Sequence, residues 1–251
     1  MRYRITVQYN GAAYSGWQSQ ENARSVQSVV EKAMAEVLGH EVRVFGCGRT
    51  DRGVHAEMQV CHFDTPKRLH VSTFPMGVNL RLPPDVALTD CRLVAEAFDA
   101  RFDATKKRYV YRAYISPYRH PLLDGRFAQF YKMPDVEKMR QAAKYFLGEH
   151  DFASFMASGS QTKNTVRELY RFDLVRNGEE LLFLVEGNGF LYHMVRILVG
   201  TLLEVGYGKR APEEMPALLQ ARCRKKSGKT APACGLCLQH VWYAGEDLSP
   251  Q

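Results

Sequence analysis

The hydrophobic periodicity of this chain runs through one pattern twice, and that repetition narrows the possible folds more than any composition figure. Residues 3–9 alternate, with Ile5, Val7 and Tyr9 set against Arg4, Thr6 and Gln8, which predicts a strand. Residues 25–38 place Val26, Val29, Val30, Ala33, Met34, Val37 and Leu38 on one helical face, with Ser25 as N-cap and Gly39 just past the end. A short strand is expected at 41–45, another near 57–63, a short helix at 71–79 ending before Pro83-Pro84, and a strand at 86–94. The order is βαββαβ.

The second half repeats it. Residues 107–116 alternate as a strand, and 135–147 put Val136, Met139, Ala143, Phe146 and Leu147 on one face of a helix closed by Gly148. Strands at 166–175 and 181–187 flank Asn177-Gly178, a hairpin signal. A helix over 190–205, a short one over 212–221 and a last strand at 236–243 complete the set. Two split βαβ units in tandem predict an α+β protein with two ferredoxin-like or RRM-like halves, residues 1–104 and 105–251. Each half is an antiparallel sheet with helices on one face, and the two sheets are expected to meet at a central basic cleft. The same unit serves RNA-binding modules as an open platform, although the fold alone does not specify that use.

At 251 residues, with 45% hydrophobic and 24% charged residues, the chain can bury a full core. No apolar window is long enough to span a bilayer, and the start reads as a strand rather than a targeting segment, so a cytoplasmic protein with no membrane association is expected. The net charge of +7 favours an anionic partner. That charge clusters at Lys67-Arg68, at Lys106-Lys107-Arg108 and at Arg222-Cys223-Arg224-Lys225-Lys226, which points modestly towards nucleic acid. The six cysteines, scattered through apolar segments, suit buried thiols in a reducing compartment. Cys234 and Cys237 form a CxxC with Cys223 before it and His240 after it, but no second CxxC supports a zinc site, and no metal is expected.

The chemistry concentrates between the second and third expected strands, in Gly46-Cys47-Gly48-Arg49-Thr50-Asp51-Arg52-Gly53-Val54-His55. Three glycines in eight residues mark a backbone that turns tightly or lets a ligand come close. Arg49 and Arg52 on either side of Asp51 favour its ionised form, which suits attack on carbon or stabilisation of positive charge better than proton donation. An Asp held in a turn by its own backbone fits the local composition equally well. The two readings stay open at this level.

Gly48-Arg49-Thr50-Asp51-Arg52-Gly53-Val54-His55 resembles the G-R-T-D-x-G-V-H signature of the TruA family of bacterial tRNA pseudouridine synthases. Further stretches resemble the same family in the same order: Tyr9-Asn10-Gly11 through Tyr14-Ser15-Gly16-Trp17-Gln18, Asn79-Leu80-Arg81-Leu82-Pro83, Phe98-Asp99-Ala100-Arg101-Phe102, Lys107-Arg108-Tyr109, Phe190-Leu191-Tyr192-His193-Met194-Val195-Arg196 and Gly235-Leu236-Cys237-Leu238. The resemblance implies isomerisation of uridine to pseudouridine at positions 38, 39 and 40 of the tRNA anticodon stem-loop, by a homodimer that uses no metal or organic cofactor. It implies Asp51 as the nucleophile, Tyr109 as the aromatic that packs on the flipped base or takes a proton, and Arg196 as the partner of the catalytic carboxylate. Arg49 would help hold the nucleotide out of its stack, with His55 and Leu191 supporting the substrate or the local packing. Arg52 departs from the family's small or varied residue and would add either a phosphate contact or merely charge.

The isomerisation is redox-neutral, so a cofactor-free site suffices. Asp51 would act on C1′ of the ribose or C6 of the base, or stabilise an oxocarbenium-like centre while Tyr109 acts as base. A non-catalytic RNA-binding or chaperone protein on the same tandem fold is the alternative, and a zinc-dependent RNA-binding protein using Cys223, Cys234, Cys237 and His240 is a third.

Overall fold

Alternation and capping build the first elements as their residues dictate. The computed structural model describes residues 1–160 and 162–245. Strand β1 (Arg2–Tyr9) buries Tyr3, Ile5, Val7 and Tyr9. Helix α1 (Val26–Leu38) starts where the Ser25 hydroxyl accepts the Ser28 N–H and ends at Gly39 in the left-handed region, with its Val26, Val30, Ala33, Met34 and Leu38 stripe buried. Strand β2 is two residues long (Phe45–Gly46) rather than the expected 41–45. Strand β3 (His55–Asp64), helix α2 (Phe74–Asn79) and strand β4 (Val86–Val94) follow. β1 lies antiparallel to both β3 and β4, so Ile5 faces Cys61 on one side and Cys91 on the other, in a buried row.

The second set comprises β5 (Ala104–Ile115), β6 (Ala128–Phe130), α3 (Val136–Lys144), β7 (Gly148–Asp151), β8 (Val166–Asn177), β9 (Glu180–Gly187), α4 (Met194–Gly206) and α5 (Met215–Ala221). The strands run β5-β9-β8-β7 with antiparallel neighbours, and β6 pairs with β5 in parallel. Helix α3 stops three residues earlier than its apolar spacing predicts. Helix α4 starts four residues later than predicted, because His193 sits at φ +61 and breaks the helical path before it. Ten of the thirteen residues of α4 are buried, which makes it the core of this unit. Neither β6 nor β7 is anticipated by the periodicity.

The last strand, β10 (Leu236–Tyr243), has the expected limits but pairs in parallel with β3, Cys237 beside His55 and Leu238 beside Ala56. The chain accordingly falls into two compact units. One holds Met1–Thr105 together with the chain from Cys237 onward, and the other holds Lys106–Leu236. The strand expected to complete the second half thus completes the first unit, whose strand order is β4-β1-β3-β10 with β2 also on β3. Among the described residues, no helix is long and apolar enough to cross a membrane.

Candidate active site

Residues 47–54 connect β2 to β3, and the first unit braces this loop from several directions. The Trp17 N–H donates to the Thr50 carbonyl at 3.2 Å, and the Gly53 N–H donates to the Tyr14 carbonyl at 3.3 Å. The Tyr9 hydroxyl and Thr50 Oγ1 share a buried hydrogen bond of 2.8 Å. The Gln59 amide, itself fully buried, donates to the Gly48 carbonyl at 2.6 Å. Within the loop, the Val54 N–H donates to the Asp51 carbonyl at 3.1 Å, closing a turn whose third residue, Gly53, has φ +78°. A side chain is disfavoured there, so glycine is what the turn requires. A second glycine matters from outside the loop: Gly16 has φ +95°, and a Cβ on it would stand 2.5 Å from the Thr50 carbonyl oxygen.

The result is a fixed backbone that carries Asp51 half-buried, between exposed Arg49 and exposed Arg52. His55 opens β3 and is buried, and its Nδ1 accepts the Gly11 N–H at 3.0 Å. An accepting Nδ1 places the ring proton on Nε2, so His55 is a neutral imidazole that pins the opening segment to the exit of the loop. The structure thus brings Arg49, Asp51, Arg52 and His55 into one braced turn.

Tyr109, Leu191 and Arg196 belong to the second unit. Tyr109 is half-buried on β5, opposite Val185 of β9, and meets Phe190 edge to face at 5.1 Å between ring centres. Leu191 is buried, with its N–H donating to the Met194 sulfur at 3.5 Å. Arg196 lies in the first turn of α4, where its Nε donates to the Ala231 carbonyl at 2.8 Å and its own carbonyl accepts the Ala231 N–H at 3.0 Å. These reciprocal bonds fix the guanidinium against the segment around Ala231, 35 residues downstream. At the head of the helix, His193 holds its strained left-handed backbone with its ring 3.9 Å from that of Tyr192. Strain of this kind persists only where the surroundings over-determine it.

The basic clusters separate by what they touch. Lys106 and Arg108 both bind the carboxylate of Glu186, at 2.9 and 2.6 Å, and Glu186 is 5% exposed. Burial pushes that carboxyl up, but the hydrogen bonds from Lys106 and Arg108 outweigh it and hold the group below its ordinary range. Lys106 and Arg108 of this cluster are therefore held by a buried carboxylate of the neighbouring strand β9. The Lys67 ammonium donates to the Leu38 carbonyl and closes the C-terminus of α1. Among the described residues, no group of three or more His, Cys, Asp or Glu could hold a metal. Cys237 is buried within β10, and the half-buried Cys234 points its thiol at the Phe127 carbonyl.

Phe190 against Tyr109, and Tyr9 and Gln59 against the loop, are the contributors that periodicity alone passes over. Phe190 reads as one more apolar residue of a helix. Gln59 is a polar residue at an inward strand position, and that mismatch is the signal that marks it.

A family model described as tRNA pseudouridine synthase matches residues 5–103 and 142–244. A protein named tRNA pseudouridine synthase A from Syntrophotalea carbinolica is 48% identical over 97% of this chain and 97% of its own. Proteins of that name from Ruminiclostridium cellulolyticum and Myxococcus xanthus are 43% and 45% identical, each over 96% of this chain and over 99% and 92% of their own lengths. Among solved structures, a chain of a Cbf5-Nop10-Gar1 complex covers 80% of this chain and 54% of its own, at a TM-score of 0.37 and 14% identity, too distant to bear on the fold. With full-length relatives at this level of identity, and a family model spanning both units, the chain belongs to the tRNA pseudouridine synthase family.

Proposed function

We propose that this protein isomerises uridine to pseudouridine in tRNA, at positions 38, 39 and 40 of the anticodon stem-loop, in the cytoplasm and as a homodimer. The observation that carries the reading is the braced turn: Asp51 stands half-buried on a backbone held by Trp17, Tyr14 and Tyr9, in a chain whose length aligns with the family. A carboxylate in a merely solvated turn needs no such bracing. Pre-set geometry of this kind is what attack on a single carbon demands.

A base inside a duplex is out of reach, so the target nucleotide must leave its stack at a cost of a few kcal/mol. Arg49 and Arg52, both exposed, flank Asp51; Arg49 helps hold the displaced nucleotide out of its stack, and Arg52 adds a phosphate contact or charge beside it. Asp51 attacks C1′ of the ribose or C6 of the base. The N1–C1′ bond breaks, the base turns, C5 joins C1′, the C5 proton leaves to a base, N1 takes a proton from solvent, and the carboxylate is regenerated. Electrons and atoms balance without an oxidant or reductant, so no organic cofactor or metal is required. Tyr109 and Arg196, from the second unit, take the roles of base-stacking or proton-accepting aromatic and of charge partner to the nucleophile. His55 and Leu191 support these groups from buried positions.

Tritium release from tRNA carrying 5-tritiated uridine tests it. The wild type is expected to release tritium and Asp51→Asn to release none while still binding tRNA. Equal release by both removes Asp51 from the mechanism, and a wild type that binds tRNA without release supports the binding-protein alternative.

A further inference from the structure

The segment Arg222–Thr230 follows α5 and returns along α4, and its cations divide into two kinds. Arg222 is matched to Asp151 at 2.8 Å. Arg224 turns inward, donating to the carbonyls of Ser227 and Gly228 and to the Thr230 hydroxyl at 3.0–3.4 Å. Lys225, Lys226 and Lys229 are exposed, and among the described residues none of them has an ion-pair or hydrogen-bond partner for its ammonium group. Asp151 pairs with Arg222, and Glu204 and Glu214 pair with Arg210, so these carboxylates are engaged by arginines rather than by the lysines. Three lysines within five residues therefore present uncompensated charge, unlike the pair of cations on Glu186.

The backbone carrying them is fixed. The buried Ser227 hydroxyl donates to the Ser154 carbonyl at 2.5 Å, the Cys223 N–H donates to Ser154 Oγ at 2.9 Å, and the Gly228 N–H donates to Thr201 Oγ1 on α4 at 3.0 Å. The Arg210 guanidinium grips the Lys226 carbonyl at 2.7 Å. Two residues beyond Lys229, Ala231 makes its reciprocal bonds with Arg196. A flexible lysine run on the surface is usually just solvated charge. Here the run is held rigid by buried hydroxyls and tied to the head of the helix that bears Arg196.

We propose that Lys225, Lys226 and Lys229 form a phosphate-binding patch that grips the RNA backbone in a fixed register to Arg196. The identity of the RNA as tRNA rests on the function proposed above. The patch supplies sequence-independent affinity and alignment, as backbone contacts do. It takes no part in bond making.

Each lysine that meets a phosphate adds about 0.7–0.9 to the slope of log K against log salt, so at 0.1 M salt its loss weakens binding roughly 5- to 8-fold. Equilibrium binding of unmodified tRNA across a salt series is expected to show the slope falling by about 2–3 in the Lys225→Ala/Lys226→Ala/Lys229→Ala variant. The corresponding triple Arg variant keeps the wild-type slope. Because these side chains are exposed, the alanine variant is expected to match the wild type in thermal unfolding, which separates lost contact from lost fold. An unchanged slope in the alanine variant overturns the proposal, and so does a wild type with no salt-dependent tRNA binding. A wild type that binds with the steep slope yet releases no tritium refutes the isomerase reading and leaves the patch standing.

Discussion

Replacing Gly16 with alanine tests whether the Asp51 loop is positioned from outside. Alanine at φ +95° leaves the favoured regions for an L-residue, at roughly 1–2 kcal/mol. Its Cβ would meet the Thr50 carbonyl oxygen at 2.5 Å, and ordinary contact begins at 3.4 Å, so the two must separate by 0.9 Å. Overpacking of that kind costs roughly 1–3 kcal/mol more. The strain has a direction: Thr50 precedes Asp51, and its carbonyl already receives the Trp17 N–H at 3.2 Å, near the long limit for such a bond. Relief moves the peptide that carries Asp51. A misplacement of about 1 Å at a reacting group costs on the order of 10²-fold in rate. The expected outcome for Gly16→Ala is a stability loss of about 2–5 kcal/mol in urea denaturation and a single-turnover tritium-release rate down roughly 100-fold, with tRNA affinity largely kept. Gly39→Ala is the control, since Gly39 has φ +73° but its Cβ would meet just the flexible end of Lys67 at 3.5 Å. That variant should lose about 1 kcal/mol and no activity. A Gly16→Ala protein with wild-type rate and wild-type stability would refute the idea that this close approach sets the loop.

Two further outcomes follow from buried titratable groups. Glu186→Gln removes the buried carboxylate that Lys106 and Arg108 share and should cost about 3 kcal/mol at neutral pH. Because the folded carboxyl titrates below its ordinary 4.5, its contribution is complete above that pH and fades as pH falls through the depressed value, so the gap between variant and wild type should narrow in acid. His62 is buried, and its Nδ1 accepts the Ala100 N–H at 3.0 Å. Burial, partly offset by Asp99, lowers the imidazole below its usual 6.5. The unfolded chain then binds the proton first, so stability drops as pH falls below about 6.5, and His62→Gln should flatten that stretch of a urea-midpoint profile between pH 7.5 and 5.5. A variant with the same slope as the wild type would rule His62 out as its source.

Much of the local architecture could be read because it is written locally. Ser25 and Gly39 mark both ends of α1, the alternation of β4 and β10 sets their limits, and Asn177-Gly178 turns the β8–β9 hairpin. The errors arise where partners are distant. β6 is three residues held in parallel against β5, and β7 is the polar run Gly148–Asp151, so neither carries alternation to detect. Phe190 and Leu191 fit the helical stripe of α4, but the left-handed backbone at His193 keeps them out of the helix. The glycine-rich loop was legible as unusual, whereas its bracing by Tyr9, Trp17 and Gln59 was not, because those contacts span 11 to 41 residues. The basic runs looked alike in sequence, since nothing near Arg108 announces that its carboxylate lies 78 residues on.

The pairing of β10 with β3 also sets an order of events during synthesis. Cys237 and Leu238 join His55 and Ala56, the residues at which the Asp51 loop passes into its strand. The Tyr243 hydroxyl then reaches the Ala100 carbonyl at 2.7 Å while Arg4 covers the Tyr243 ring. Residues 106–236 must be made between the two parts of the first unit. At roughly 5–20 residues per second, that is a wait of about 7–26 s in which the exit of the loop lacks its last neighbour. The Asp51 loop is thus translated early and secured late, since the strand that follows it gains its last neighbour with the final strand of the chain. Shortening the chain before Cys237 would remove that lock while leaving the whole GRTD segment in place.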